Sequence, residues 1–130
     1  MKTITICGKN YEIACNGLTH LKYKQLFNRG ILKDIQIINE FYLKQAVLAK
    51  SLLENNKEIT DKDLIKQLSL SMTADIDDYI DVVTMIAYIC CYTANENIGS
   101  YEEWLKGIDK INTNDDWIVE VTEFAVSCFC

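Results

Sequence analysis

The sequence predicts a mainly α fold of five to six helices around a central buried helix, with an N-terminal β-hairpin, and three observations carry that reading. The first residues alternate apolar and polar side chains with a period of two. Beyond Gly17 the apolar residues recur at helical spacing. Val82 to Asn95 is a charge-free stretch of 14 residues, short of the roughly 20 that cross a bilayer, and so reads as a core helix. A chain of 130 residues that is 49% hydrophobic suits one core and little more, so residues 1–130 are read as a single domain, 1–16 the hairpin and 17–130 the helical part.

The elements follow in order. Ile4 and Ile6 share one face of a first strand near 2–7, with Thr3 and Thr5 on the other. Tyr11, Ile13 and Cys15 do the same for a second near 10–15, and Gly8-Lys9-Asn10 supplies the turn. Two strands alone are barely stable, so the hairpin must lie on the helices. After Asn16-Gly17 the apolar pattern is Leu18, Leu21, Leu26 and Phe27, with Thr19 placed to cap and Gly30 to end the helix in a left-handed conformation.

From Ile31 the series Ile31, Ile35, Ile38, Tyr42, Ala46, Ala49 and Leu53 marks one long helix, flanked by a second row of Ile37, Phe41, Leu48 and Leu52. Asn55-Asn56-Lys57 ends it. Thr60-Asp61-Lys62-Asp63 starts a short helix. Thr73 then caps the next, near 74–94, whose first turn carries Asp75, Asp77 and Asp78, where the helix dipole favours negative charge. This helix is apolar nearly all round and is the predicted centre of the core. Ser100-Tyr101-Glu102-Glu103 matches a capping box and opens a short helix to about Gly107. Asn112-Thr113-Asn114 opens the last helix, with Trp117, Val121, Phe124 and Cys128 on one face.

Charge is divided along the chain. Residues 1–66 carry a net +4 and residues 67–130 a net −10, giving −6 in all. Such asymmetry either holds the halves together or orients a partner and raises on-rates, and it leaves homo-oligomerisation open. An acidic chain whose single arginine is Arg29 lacks the basic stripe that binds nucleic acid, so no nucleic-acid partner is expected, and no membrane partner either. No apolar segment of signal-peptide length precedes Lys9-Asn10, which points to a cytoplasmic protein. The six cysteines, Cys7, Cys15, Cys90, Cys91, Cys128 and Cys130, are then expected to be reduced thiols, mostly small buried hydrophobes.

Motifs for chemistry are absent. There is no phosphate-cradling glycine loop, no G-x-S-x-G, no H-E-x-x-H and no zinc-type C-x-x-C. Cys128-Phe129-Cys130 and the single histidine, His20, do not make up a zinc ligand set, so neither metal nor cofactor is expected. The carboxylate pairs Asp77-Asp78, Glu102-Glu103 and Asp115-Asp116 all fall in predicted first turns, where helix-end stabilisation accounts for them. No catalytic residues are assigned, and the chain is read as a non-enzyme.

Ile86-Ala87-Tyr88, Thr93-Ala94-Asn95, the run Ile98-Gly99-Ser100-Tyr101-Glu102-Glu103-Trp104-Leu105, and Trp117 with Glu120-Val121 together resemble the C-terminal half of the tail assembly chaperones of siphophages and prophages of Gram-positive bacteria. The opening Ile4-Thr5-Ile6-Cys7-Gly8-Lys9-Asn10-Tyr11 is similar to the I-x-I-x-G-K-x-Y start of the same proteins, and the length fits. Residues 31–75 match only in helical character. The resemblance implies a small helical non-enzyme that works in the bacterial host cytoplasm. Such proteins escort the long, aggregation-prone tape measure protein and help recruit tail-tube subunits.

A chaperone of this kind needs an exposed apolar groove for a helical client. The candidate partner-binding residues are Tyr101, Trp104 and Leu105 on the capped short helix and Trp117 and Phe124 on the last. The two tryptophans also suit a purely structural role, Trp117 more so than Trp104, because aromatic residues at helical spacing more often fill a core. The acidic C-terminal half suits a second function, an inhibitor of a host defence enzyme that binds by mimicking nucleic acid.

Overall fold

The computed structural model describes residues 2–54, 62–111 and 115–129, with the side-chain surroundings of all these except 48–75. Among the described residues two strands and five helices follow one another: β1 (Lys2–Ile6), β2 (Lys9–Ile13), α1 (Gly17–Phe27), α2 (Ile31–Glu54), α3 (Lys62–Ala94), α4 (Tyr101–Lys106) and α5 (Asp116–Phe129). The mainly α architecture with an N-terminal hairpin is the one the sequence predicts.

β1 and β2 pair antiparallel, Ile4 opposite Tyr11 and Ile6 opposite Lys9. That register sends Ile4, Ile6 and Ile13 into the core and leaves Thr3 and Thr5 outside, as the alternation requires. The turn is Cys7-Gly8 and not Gly8-Lys9-Asn10. Both residues have positive φ, 50° and 81°, the signature of the two-residue turn whose twist matches that of a hairpin. The backbone N–H of Ala14 donates to the carbonyl of Cys90 at 3.1 Å, tying the hairpin's exit to α3.

α3 is the hub, packing against α1, α2, α4, α5 and β2. Val82, Val83, Ile86, Ala87, Ile89, Cys90 and Cys91 are all buried, so this part of α3 meets neighbours on every side. Each fully buried Val or Ile contributes about 1.5–3 kcal/mol. Ile31, Ile35, Ile38 and Phe41 of α2 and Trp117, Ile118, Val121 and Ala125 of α5 complete the core.

Three local expectations change. Thr73 does not start a helix: α3 runs unbroken from Lys62 to Ala94, so Asp77 and Asp78 lie inside it and not in a first turn. The span contains neither glycine nor proline, and a capping signal without a breaker does not end a helix. Asn28 replaces Gly30 as the left-handed stop of α1, at φ 55°, while the Gly30 carbonyl accepts from Asp34 N at 3.1 Å in the first turn of α2. Cys15 and Cys128 form a disulfide across 113 residues of sequence, against the expectation of six thiols. That expectation rested on compartment and core size, and neither says which cysteines the fold brings together. Cys7, Cys90 and Cys91 are free. The predicted helix boundaries at Asn55-Asn56-Lys57, Thr60-Asp61 and Asn112-Thr113-Asn114 lie outside the described residues.

Candidate docking surface

α1 faces the opposite way from its apolar pattern. Leu18, Leu21, Lys22, Gln25 and Leu26 fall at i, i+3, i+4, i+7 and i+8, the spacing of a core-facing stripe. Yet Leu18, Leu21 and Leu26 are 60%, 47% and 51% exposed. The buried residues of α1 are Thr19 and Tyr23, with Phe27 partly buried beside them.

Polar pairing explains the choice. Thr19 Oγ1 accepts from the backbone N–H of Asn16 at 3.0 Å, the return half of a capping box in which the Asn16 side chain takes Leu18 N at 2.8 Å. The same hydroxyl meets Thr93 Oγ1 of α3 at 2.8 Å. Tyr23 is fully buried, and its hydroxyl donates to Asp34 Oδ2. Arg29 closes the other side of that carboxylate, Nη2 to Oδ1 at 2.8 Å and Nε to Oδ2 at 3.0 Å. Burial, and then the hydrogen bond to Asp34, raises the Tyr23 pKa far above its ordinary value, so the hydroxyl stays a donor. Turning Tyr23 outward would take one donor from a buried carboxylate that Arg29 also pairs, about 1.5–3 kcal/mol for a hydrogen bond to a charged group, comparable with the 1.5–3 kcal/mol that burying one leucine returns.

Two of the outward leucines, Leu18 and Leu26, border a groove. α1 and the end of α3 run antiparallel, since Thr19 meets Thr93 and the Phe27 ring meets that of Tyr88, 6.4 Å between centroids. Between them Lys22, Gln25, Leu26, Tyr88, Ile89 and Tyr92 enclose an open cavity of about 270 Å³. A smaller one of about 50 Å³ continues it past Leu18 to Thr93 and Glu96. Tyr88 forms the rigid floor: its hydroxyl donates to the Gly99 carbonyl at 2.7 Å, and burial raises its pKa. Leu26 beside the larger cavity, Leu18 beside the smaller one and exposed Leu21 on the same side of α1 make a surface that can take one face of a helix.

The candidate partner-binding residues lie elsewhere and do not form one surface. Trp104 is 4% exposed, with Tyr88 at 5.6 Å, Tyr11 at 6.3 Å and Tyr101 at 6.3 Å between ring centroids. Tyr101 is half-buried; its ring meets Phe27 at 4.9 Å and its hydroxyl meets Thr84 Oγ1 at 3.1 Å. Burial raises its pKa as well. Leu105 and Phe124 are partly buried against the core. Trp117 is 3% exposed. The two tryptophans therefore lock α4 and α5 onto the core, and their burial removes them from the contact surface. Both indole Nε1 atoms are buried with no hydrogen-bond partner among the described residues.

The sequence gives Leu18, Leu21 and Leu26, with Phe27, as the apolar pattern of this helix without saying which way it faces. The competing signal was present: Thr19, Tyr23 and Phe27 also recur at i, i+4 and i+8. Among the described residues no group of three or more histidine, cysteine, aspartate or glutamate side chains is placed to hold a metal ion, and no helix is long and apolar enough to cross a membrane. No protein-family model, no curated protein and no solved structure matches the chain.

Proposed function

We propose that this protein is a phage tail assembly chaperone, a non-enzyme that binds the tape measure protein in the bacterial host cytoplasm and assists assembly of the tail tube. The sequence resemblance across residues 86–130 and in the opening strand motivates the family. The observation that carries the binding role is the outward face of α1. Leaving three leucines in water forgoes several kcal/mol of burial, and a helix that leaves them out beside a cavity offers them to a partner. A long helical client presents the matching shape, one apolar stripe after another.

The docking surface in this reading is α1 with Tyr88, Ile89 and Tyr92, and the tryptophans serve the scaffold beneath it. Co-expression of the tape measure protein with and without this chain tests the proposal. Soluble client only in its presence is the expected result. Client solubility that does not depend on the chain defeats the chaperone reading.

A further inference from the structure

The Cys15–Cys128 disulfide joins a fixed anchor to a loosely held end. On the anchor side Ile13 is fully buried, and the N–H of Ala14 donates to the Cys90 carbonyl of α3 at 3.1 Å. Asn16 caps α1 just beyond, its side chain accepting from Leu18 N at 2.8 Å and its backbone N–H donating to Thr19 Oγ1 at 3.0 Å. Cys15 is thus placed from both sides by bonds that do not involve its sulfur.

The α5 side differs. The buried residues of α5 are Trp117, Ile118, Val121, Thr122 and Ala125, and no described residue after Ala125 is buried. Ser127 and Cys128 are exposed, while Val126 and Phe129 are half-buried. The Ser127 hydroxyl donates to the Phe124 carbonyl of its own helix at 2.8 Å. Two half-buried side chains and one covalent bond therefore hold the last turn to the rest of the fold.

The described cysteines divide by access. Cys128 is exposed and Cys15 half-buried, which puts their bond at the surface. Cys90 and Cys91 are fully buried, and burial pushes both thiols up to about 12, so neither supplies a thiolate at neutral pH. Cys7 is exposed but shares a cavity with Asp116 and Trp117, at the opposite end of α5. About 18 Å of helix, at about 1.5 Å per residue, separates that end from Cys128, so Cys7 does not reach the bond.

We propose that Cys15 and Cys128 form a site of reversible thiol–disulfide exchange, a latch on the last turn of α5 that a low-molecular-weight thiol opens without unfolding the domain. The thiolate of the small thiol attacks Cys128 Sγ, the more exposed sulfur. A mixed disulfide forms, and Cys15 leaves as a thiolate that takes up the proton the small thiol gave up. A second thiolate attacks the small thiol's own sulfur in the mixed disulfide, releasing the small-molecule disulfide, and Cys128 is protonated in turn. Two small thiols are oxidised to one disulfide while the protein bond is reduced to two thiols, and the reverse sequence closes the latch. Exposed disulfides are the more readily reduced class, and the anchor keeps Cys15 in place for reclosure. The latch opens in a reducing compartment and closes where the small-molecule disulfide accumulates, whether or not the groove binds a client.

The test uses the full chain, labelled with nitrogen-15 and oxidised with glutathione disulfide, then treated with excess reduced glutathione without denaturant. Peptide mapping under non-reducing conditions locates the bond, and backbone relaxation reads the last turn. The oxidised protein should carry the Cys15–Cys128 bond, and reduced glutathione should open it. Order parameters of Ser127, Cys128 and Phe129 should then fall from about 0.85 to below about 0.6, while those of Ala14, Val121 and Ala125 stay near about 0.85. A Cys15→Ser variant should show the mobile last turn in both buffers, and regained order on adding glutathione disulfide should occur in the parent chain alone.

A bond from Cys15 to a cysteine other than Cys128, or none at all after oxidation, overturns the proposal. So does a bond that reduced glutathione leaves intact until denaturant is added. A last turn equally ordered with the bond open shows that the bond latches nothing. Loss of the native spectrum on reduction or in Cys15→Ser makes the bond a staple of the whole fold and defeats the latch.

Discussion

Tyr23 decides which way α1 faces. A tyrosine in the middle of a helix with leucines on its other side would ordinarily be the more exposed partner. Here its hydroxyl donates to Asp34, which is 2% exposed, beside the bidentate Arg29, and the buried face of α1 carries it inward. This pairing was not legible in the sequence, because a separation of 11 between Tyr23 and Asp34 gives no periodicity that links them. Buried thiols bring a second residue-scale effect, one that pH reveals. Burial pushes Cys90 and Cys91 up to about 12 from 9.0. A raised folded pKa means stability that is complete below the unfolded pKa and lost as pH rises towards the folded one. Between pH 9 and 12 the unfolded chain has released protons that the native chain still holds, so stability falls with pH, by at most about 1.4 kcal/mol per unit for each thiol. Urea unfolding at pH 8 and at pH 10 should show this loss, and a Cys90→Ala/Cys91→Ala variant should show a flatter dependence. An identical slope in both proteins would contradict the assignment.

At the scale of elements, local signals were legible where they were self-contained. The hairpin followed from alternation, and α4 followed from its capping box, in which Ser100 Oγ accepts from Glu103 N at 3.2 Å and Glu103 reaches back to Ser100 N at 3.4 Å. The false division of α3 at Thr73 came from reading a cap without asking what would stop the helix before it. The loop leading into α4 depends on Gly99, whose φ of 93° is costly for any residue with a Cβ. A Cβ added there would also stand 2.7 Å from Glu103 Oε2, displacing the carboxylate from the box. Gly99→Ala should therefore cost about 1–2 kcal/mol, measured by the urea midpoint. A change below about 0.3 kcal/mol would show that neither the backbone conformation nor the box matters to stability.

At the scale of the molecule, α3 organises both ends of the chain. The hairpin exit bonds to Cys90, α4 and α5 close over α3, and the Cys15–Cys128 bond joins the segment between β2 and α1 to the last turn of α5. Beside that bond, Val121 and Ala125 hold α5 through their burial in the core. The core list was largely legible from periodicity. The docking surface was not, since the same leucine spacing describes a stripe turned inward or outward. The account's central claim, that the leucine face of α1 receives the client, is tested most directly by the affinity of Leu21→Asp for a soluble tape measure segment, with Trp104→Ala as the comparison. Leu21→Asp replaces an exposed side chain and should keep stability within about 0.5 kcal/mol while weakening the client by about thirtyfold or more. Trp104→Ala should instead destabilise the fold by about 3–5 kcal/mol. Undiminished client affinity in a folded Leu21→Asp variant would contradict the claim.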